Sequence, residues 1–199
     1  TGGDLILVKV SGPVIDESNG IAQGMSGSPV YINGKLLGAV AYGFSNSGGR
    51  IGMVTPISDM LGLWTIDDNK KATSHTLPDG LIPIKTPLMS TGYTEDAMKY
   101  LEKRMKDFNM YPLSAATSSV DEIARPLEAG GAVAATMVTG DLKLGAVGTV
   151  TYVDKDHIVA FGHPFRNTGS TSYFMNNSYI FTVIPSTDTP FKLASVGAD

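Results

Sequence analysis

Short apolar runs separated by glycine and proline dominate the pattern of this chain. Residues 4–10 are mostly aliphatic and end at Ser11-Gly12-Pro13, which favours a strand that stops at a turn. Asn33-Gly34 lies between two further runs. Both residues tolerate positive φ, so the pair predicts a hairpin. The strands predicted in this way are 4–10, 29–32, 35–42, 51–55, 132–139, 148–153, 157–161 and 173–184.

Helical spacing occurs mainly in the middle of the chain. Residues 94–108 begin with Thr94, a capping residue, and carry acidic residues in the first turn, which complement the helix dipole. Their apolar side chains recur at intervals of three and four, which predicts a face that packs in the core. These side chains are Met98, Leu101, Met105 and Phe108. Shorter helices are predicted at 56–63 and 121–128, and the polar stretch 67–80 is typical of a connection.

The order of these elements predicts a mainly β protein with a partly helical insert. We expect a β lobe at 1–64, a connection and helical insert at 65–129, and a second β lobe at 130–199. The three parts are also compatible with one compact domain. The chain has 199 residues, of which 23 are glycine and 11 proline, and many tight turns between short strands would use them.

Charge and composition exclude several classes of function. The net charge of −4 argues against nucleic acid as a partner, because phosphate binding needs a basic surface. The absence of cysteine excludes a disulfide framework, a thiolate zinc site and a cysteine nucleophile. No apolar run approaches the roughly 20 residues that span a bilayer. Thr1 is not a natural start, so the chain is interpreted as an excised or processed fragment without a visible signal segment.

The segment Gly24-Met25-Ser26-Gly27-Ser28-Pro29 carries the candidate chemistry. A Gly-x-Ser-x-Gly turn of an α/β-hydrolase needs a helix after the serine, whereas here position 28 is serine and a strand follows. The segment resembles instead the nucleophile loop of chymotrypsin-like serine peptidases, Gly-Asp-Ser-Gly-Gly-Pro. The apolar strand, turn and Gly38 to Gly43 strand that follow also resemble that family. A turn with no catalytic role is the alternative interpretation.

This resemblance implies a role for each part of the loop. A serine hydroxyl becomes a nucleophile when it stands at a tight turn beside a base. The amides of Gly24 and Ser26 would form an oxyanion hole, worth roughly 3 kcal/mol per donor. The strand segment Ala39-Val40-Ala41-Tyr42-Gly43 would bind an extended substrate along its edge. The implied fold is a chymotrypsin-like double β-barrel or sandwich.

Three histidines limit the choice of base. His75 lies in the polar connection and His157 follows a polar turn, so both are expected at the surface. His163 ends an apolar strand in Phe161-Gly162-His163-Pro164, where a base is well placed for a nucleophile, although a histidine between aromatic residues is also compatible with core packing. The histidine spacing is not that of a helical zinc pair, and we expect neither a metal nor another cofactor.

Residues 19–29 and 33–40 resemble the serine region of the SpoIVB family of serine peptidases most closely. The resemblance places the family's catalytic serine on Ser26 and its histidine on His163. In that family the histidine precedes the serine, so this chain would have its lobes in rearranged order. No carboxylate stands at the family's usual position of the acid. Asp16 is the nearest candidate, and Asn167 and Asp188 are other possible orienters of the histidine.

These observations lead to a main hypothesis and two alternatives. The main hypothesis is a serine endopeptidase that acts on protein or peptide substrates outside the bacterial cytoplasm, in processing or signalling. The first alternative is an inactive peptidase-like module that binds peptides or protein partners, which the missing acid motivates. The second is a structural assembly domain without a cleft at Ser26.

Overall fold

The computed structural model describes residues 3–44, 47–65, 77, 79–105, 110–115, 126–166 and 170–197. In these residues the chain is mainly β, and two curled sheets form a barrel-like arrangement. This confirms the predicted mainly β architecture. None of the helices in these ranges is long and apolar enough to cross a membrane.

The first sheet is antiparallel and contains the candidate serine loop between its first two strands. Its strand order is β1-β4-β3-β2, and β5 pairs with β3 as well. Two short helices and a 3₁₀ turn accompany it. The elements are β1 Ile6–Lys9, α1 Pro13–Ser18, β2 Pro29–Ile32, β3 Lys35–Phe44, β4 Ile51–Pro56, α2 Ile57–Leu61, the 3₁₀ turn Gly62–Thr65 and β5 Leu81–Pro83.

The second sheet is larger and has the order β12-β11-β8-β9-β6-β7, with β10 paired to β9. The β6 and β7 strands are parallel and α3 connects them, as parallel strands require a crossover. The elements are β6 Thr86–Thr91, α3 Glu95–Met105, β7 Met110–Ser114, β8 Ala132–Val138, β9 Lys143–Asp154, β10 His157–Ala160, β11 Phe174–Ile184 and β12 Phe191–Val196.

The strands predicted from apolar runs are confirmed, with ends that differ by a few residues. Asn33 and Gly34 have φ values of 51° and 75°, as the predicted hairpin requires. In α3, Leu101 and Met105 pack on the core around Leu88, which confirms the predicted apolar face. Residues 106–108, most of the connection 67–80 and most of the helix 121–128 lie outside the described residues.

Among the elements of the described residues, five were not predicted from the sequence: α1, β5, β6, β7 and β12. Pro13 suggested a strand end, but proline is also well tolerated in the first turn of a helix, where no N–H is needed. The segment expected to be a helical insert supplies β6 and β7 to the second sheet. Their prolines, Pro87 and Pro112, weakened the strand pattern.

The two sheets contact each other next to the serine loop. One buried cluster contains side chains from both sides of this contact, namely Ala39 of β3, Met60 of α2 and Val159 of β10. The remaining core is divided between them, with Val54 buried in the first sheet and Val147 in the second. The junction therefore brings the end of β10 and the middle of β3 close to the candidate nucleophile.

Candidate active site

The loop that carries Ser26 consists of two consecutive tight turns. The amide of Met25 donates to the Ala22 carbonyl at 3.0 Å, and the amide of Ser28 donates to the Met25 carbonyl at 3.0 Å. Gly24 and Gly27 have φ values of 88° and 95°, which L side chains rarely adopt. The glycines therefore permit the turns that place Ser26 between them.

Ser26 itself is completely buried, at 0% exposure. Its hydroxyl makes no hydrogen bond within the part of the chain that the structure describes. A buried hydroxyl without a partner costs free energy, of the order of 1–3 kcal/mol. Such a group is therefore often retained for a reason other than stability.

Two threonines of β9 hold the loop from the second sheet. The Thr149 hydroxyl donates to the Gly24 carbonyl at 2.9 Å, and the Thr151 hydroxyl donates to the Gly27 carbonyl at 2.7 Å. The Thr149 amide also donates to the Ser26 carbonyl at 3.0 Å. Neither threonine was predicted from the sequence, because threonine in a strand is ordinary β composition.

Lys192 of β12 is a further residue whose role was not predicted from the sequence. Its ammonium donates to the Thr149 hydroxyl at 2.9 Å, and its amide donates to the Gln23 carbonyl at 3.0 Å. Burial lowers the pKa of Lys192 to about 8. A lysine within the mostly apolar run Phe191–Val196 was the available signal.

His163 follows β10 in a bend with an unusual backbone. Phe161 and Gly162 both have positive φ, 64° and 72°. The Thr55 hydroxyl of β4 donates to the Gly162 carbonyl at 2.6 Å. The first sheet thus fixes the peptide just before the histidine.

The His163 ring is held in a defined tautomer. Nδ1 lies 3.0 Å from the Pro164 carbonyl; since a carbonyl only accepts, Nδ1 carries the proton in this contact. In the neutral ring Nε2 then has a lone pair; it makes no hydrogen bond of good geometry to the described residues, although the Ile84 backbone lies beside the ring. Burial lowers the pKa of His163, while the backbone of Pro164 and Ile84 acts in the opposite direction. The ring is therefore a neutral base at pH 7.

The serine and histidine loops meet at Val40 of β3. The Gly27 amide donates to the Val40 carbonyl at 2.8 Å. A Cβ atom placed on Gly162 would lie 3.2 Å from the same oxygen. The two loops also meet at Thr149, whose amide donates to the Ser26 carbonyl at 3.0 Å and whose carbonyl accepts the Phe161 amide at 3.2 Å. No hydrogen bond between Ser26 Oγ and His163 Nε2 is present within the described ranges.

The candidate acids do not contact the histidine through any hydrogen bond or ion pair of the described residues. Asp16 of α1 forms an exposed ion pair with Arg50, 2.7 Å between Oδ1 and the guanidinium. Asp188 is exposed, and its amide donates to the Ser186 hydroxyl. Asn167 lies outside the described residues. The role of Asp16 as the acid stays a prediction.

The groups expected to bind substrate already make contacts within the protein itself. The Gly24 amide donates to the Lys85 carbonyl at 3.3 Å. Ala39, Val40, Ala41 and Tyr42 are buried, and Gly43 is half-buried. The β3 edge pairs with β2 near Ala39 and with β5 at Tyr42 and Gly43.

The other histidines are remote from this chemistry. His157 is exposed, and its ring lies 5.5 Å from that of Trp64, measured between centroids. His75 lies outside the described residues. Among the residues that the structure describes, no group of three or more histidines and acidic residues is placed to hold a metal ion.

Comparison with known families gives one match. Residues 2–61 match the model of the SpoIVB peptidase S55 family, which confirms the resemblance for that part of the chain. The matched residues include Ser26 and the strand 39–43, and His163 lies beyond them. A search of curated proteins and a search of solved structures each gave no match.

Proposed function

We propose that the chain is a serine peptidase with Ser26 as nucleophile and His163 as general base. The observation that carries the proposal is a pair of buried side-chain atoms, Ser26 Oγ and His163 Nε2, neither of which has a hydrogen-bond partner among the described residues. They lie on loops that are both hydrogen-bonded to the Thr149 backbone, one through Ser26 and the other through Phe161. The match of residues 2–61 to a peptidase family supports the same chemistry.

The reaction follows from the tautomer of the histidine. His163 Nε2 accepts the proton of the Ser26 hydroxyl as Oγ bonds to the substrate carbonyl carbon. When the tetrahedral intermediate collapses, the carbon–nitrogen bond breaks and His163 gives the proton to the leaving amine. A water molecule then repeats the sequence on the ester and releases Ser26.

In this proposal the Pro164 backbone carbonyl takes over part of the role that an acidic residue has in a catalytic triad. The contact between Nδ1 and the Pro164 carbonyl at 3.0 Å favours the tautomer that leaves Nε2 as the base. It also orients the ring and helps to stabilise the imidazolium that forms during the reaction. We therefore propose a Ser–His dyad that does not depend on Asp16.

Catalysis in this form requires a rearrangement. Ser26 Oγ and His163 Nε2 must come within hydrogen-bonding distance. Catalytic hydrogen bonds are often longer before substrate binds and shorten in the complex. The Gly24 amide must also leave the Lys85 carbonyl before it can act with the Ser26 amide as an oxyanion donor. We propose protein or peptide substrates and an extracytoplasmic location in bacteria for this activity.

A non-catalytic peptide-binding module is the second candidate. The complete burial of Ser26 and the lack of a direct bond to His163 favour it. In that case the loop would serve as a structural turn. A peptide-binding groove along Ala39 to Gly43 of β3 would carry the function.

A serine-directed fluorophosphonate probe distinguishes the two. We expect slow covalent labelling of Ser26, located by peptide mass spectrometry, and its loss in Ser26→Ala and His163→Ala. Exposed matched residues serve as controls, namely Ser58→Ala and His157→Ala. Labelling that persists in His163→Ala, or no labelling of folded protein after long exposure, would contradict the peptidase proposal.

A further inference from the structure

Residues 81–85 run along the strand edge that a substrate would need. The β5 strand pairs antiparallel with β3 in the register Tyr42↔Pro83, Gly43↔Ile82 and Phe44↔Leu81. These β3 residues include the end of the predicted substrate-binding segment. An extended peptide that adds to a sheet edge makes the same kind of pairing.

The hydrogen bonds of this segment follow the alternation of an antiparallel ladder. The Ile84 amide donates to the Ala41 carbonyl at 3.0 Å. The next position, Pro83 opposite Tyr42, is then one that exchanges no hydrogen bonds, so the missing N–H of proline costs nothing there. The segment thus fits the edge with its backbone as well as with its side chains.

The same segment touches the candidate catalytic groups at its far end. The Ile84 backbone lies close enough to the His163 ring to act on its charge state. The next carbonyl, that of Lys85, accepts the Gly24 amide at 3.3 Å. One short stretch therefore contacts the strand edge, the base and the proposed oxyanion donor.

Side chains of the segment show which chemistry the groove accepts. Leu81 and Ile84 are buried, 4% and 8% exposed, whereas Ile82 is 48% exposed. Leu81 packs with Ala41 and Tyr42, and Ile84 packs with Val40. The groove is therefore lined by apolar groups, and it holds aliphatic side chains of an extended strand.

We infer that the β3 edge and the Gly24 amide form a binding site for extended aliphatic peptides, and that residues 81–85 occupy it in cis in the manner of a substrate. The chain as described is self-blocked, and a peptide in trans must compete with its own strand. The consequence for catalysis rests on the proposed function, whereas the occupancy of the groove does not.

The test measures binding without catalysis, in a Ser26→Ala background. The probe is a fluorescein-labelled peptide with the sequence of residues 79–86, Asp-Gly-Leu-Ile-Pro-Ile-Lys-Thr, followed by fluorescence anisotropy. The variant Leu81→Ala/Ile84→Ala removes both anchors of the internal strand. The control Leu88→Ala/Leu144→Ala removes similar buried volume in the second sheet, outside the groove. We expect the peptide to bind the first variant at least tenfold more tightly than the control or the parent.

A second variant leaves the core intact. Ile82 is exposed, and the ladder alternation assigns its N–H to Gly43. Ile82→Pro should therefore release the strand and raise peptide affinity, whereas Ile82→Thr should not. Equal affinity of the proline variant, the threonine variant and the parent, all shown to be folded by circular dichroism, would overturn the inference.

Fluorophosphonate labelling of the same variants with Ser26 restored separates the two proposals. Faster labelling of Ile82→Pro than of Ile82→Thr supports both the self-blocked groove and the peptidase. Peptide binding without labelling supports the groove and refutes the catalytic function. Labelling without any gain in peptide binding refutes the self-blocked groove alone.

Discussion

The substitution Gly27→Ala tests the contact between the serine loop and the second sheet. A Cβ at this position would lie 1.9 Å from the Thr149 carbonyl oxygen and 2.6 Å from the Phe161 nitrogen. Both are backbone atoms, so neither can move aside as a flexible side chain would. Gly27 also has a φ of 95°, which alanine adopts only under strain.

The magnitude follows from these two costs. Positive φ costs an L residue roughly 1–2 kcal/mol, and overpacking adds about 1–3 kcal/mol. We therefore expect Gly27→Ala to lower the free energy of unfolding by about 4 kcal/mol. Gly34→Ala is the matched control, because Gly34 has a φ of 75° but no heavy atom within 4 Å of its Cβ position. It should lose only about 1–2 kcal/mol.

Urea unfolding followed by circular dichroism measures both variants against the parent. The loss for Gly27→Ala should exceed that for Gly34→Ala by at least about 2 kcal/mol, within the range of overpacking costs. Equal losses would refute the close packing of the serine loop against β9. They would also remove one reason for treating the serine and histidine loops as one site, namely the closeness of Gly27 to Phe161.

Three further predictions concern the buried polar groups. Ser26→Ala should leave the melting temperature unchanged or raise it, since the Ser26 hydroxyl has no partner in the described structure. Ser18→Ala should lose about 1 kcal/mol of stability, because the Ser18 hydroxyl is hydrogen-bonded to backbone carbonyls. A larger loss for Ser26→Ala than for Ser18→Ala would refute this prediction. Burial lowers the pKa of His163 below its usual 6.5, so the unfolded chain binds more protons than the folded chain as the pH falls. The free energy of unfolding should therefore decrease below about pH 6.5. His163→Gln should reduce that slope in urea titrations from pH 5 to 7. The pKa of Lys192 is lowered to about 8 in the folded chain, so between this pKa and that of the unfolded chain the unfolded chain binds more protons. The free energy of unfolding should therefore rise from pH 8 to 10 relative to that of Lys192→Met. Parallel pH profiles of the two proteins would contradict the burial of the ammonium.

Local sequence patterns were sufficient for most of the strands and for the serine loop. Alternating apolar runs define strands because side chains in a strand point to opposite faces. Asn33-Gly34 predicted its hairpin because few other residues tolerate positive φ twice in succession. The segment around Ser26 was recognisable because glycines at fixed positions are needed for its turns. These are properties of neighbouring residues, and the sequence contains them directly.

Other parts of the site depend on residues that are far apart in the chain. Thr149, Thr151 and Lys192 hold the serine loop through bonds that span more than a hundred residues or bridge two strands. Their local sequence is that of ordinary strands. The occupation of the β3 edge by residues 81–85 was equally invisible, because a short strand with a proline gives a weak pattern.

The sequence by itself determined the turns of the serine loop and most of the first sheet, since turn chemistry and apolar periodicity act over a few residues. Only the tertiary structure decided how Ser26 is buried, which carbonyl orients His163 and which group holds the Gly24 amide. Those features arise where the two sheets pack, and packing selects partners by shape and distance rather than by position in the chain.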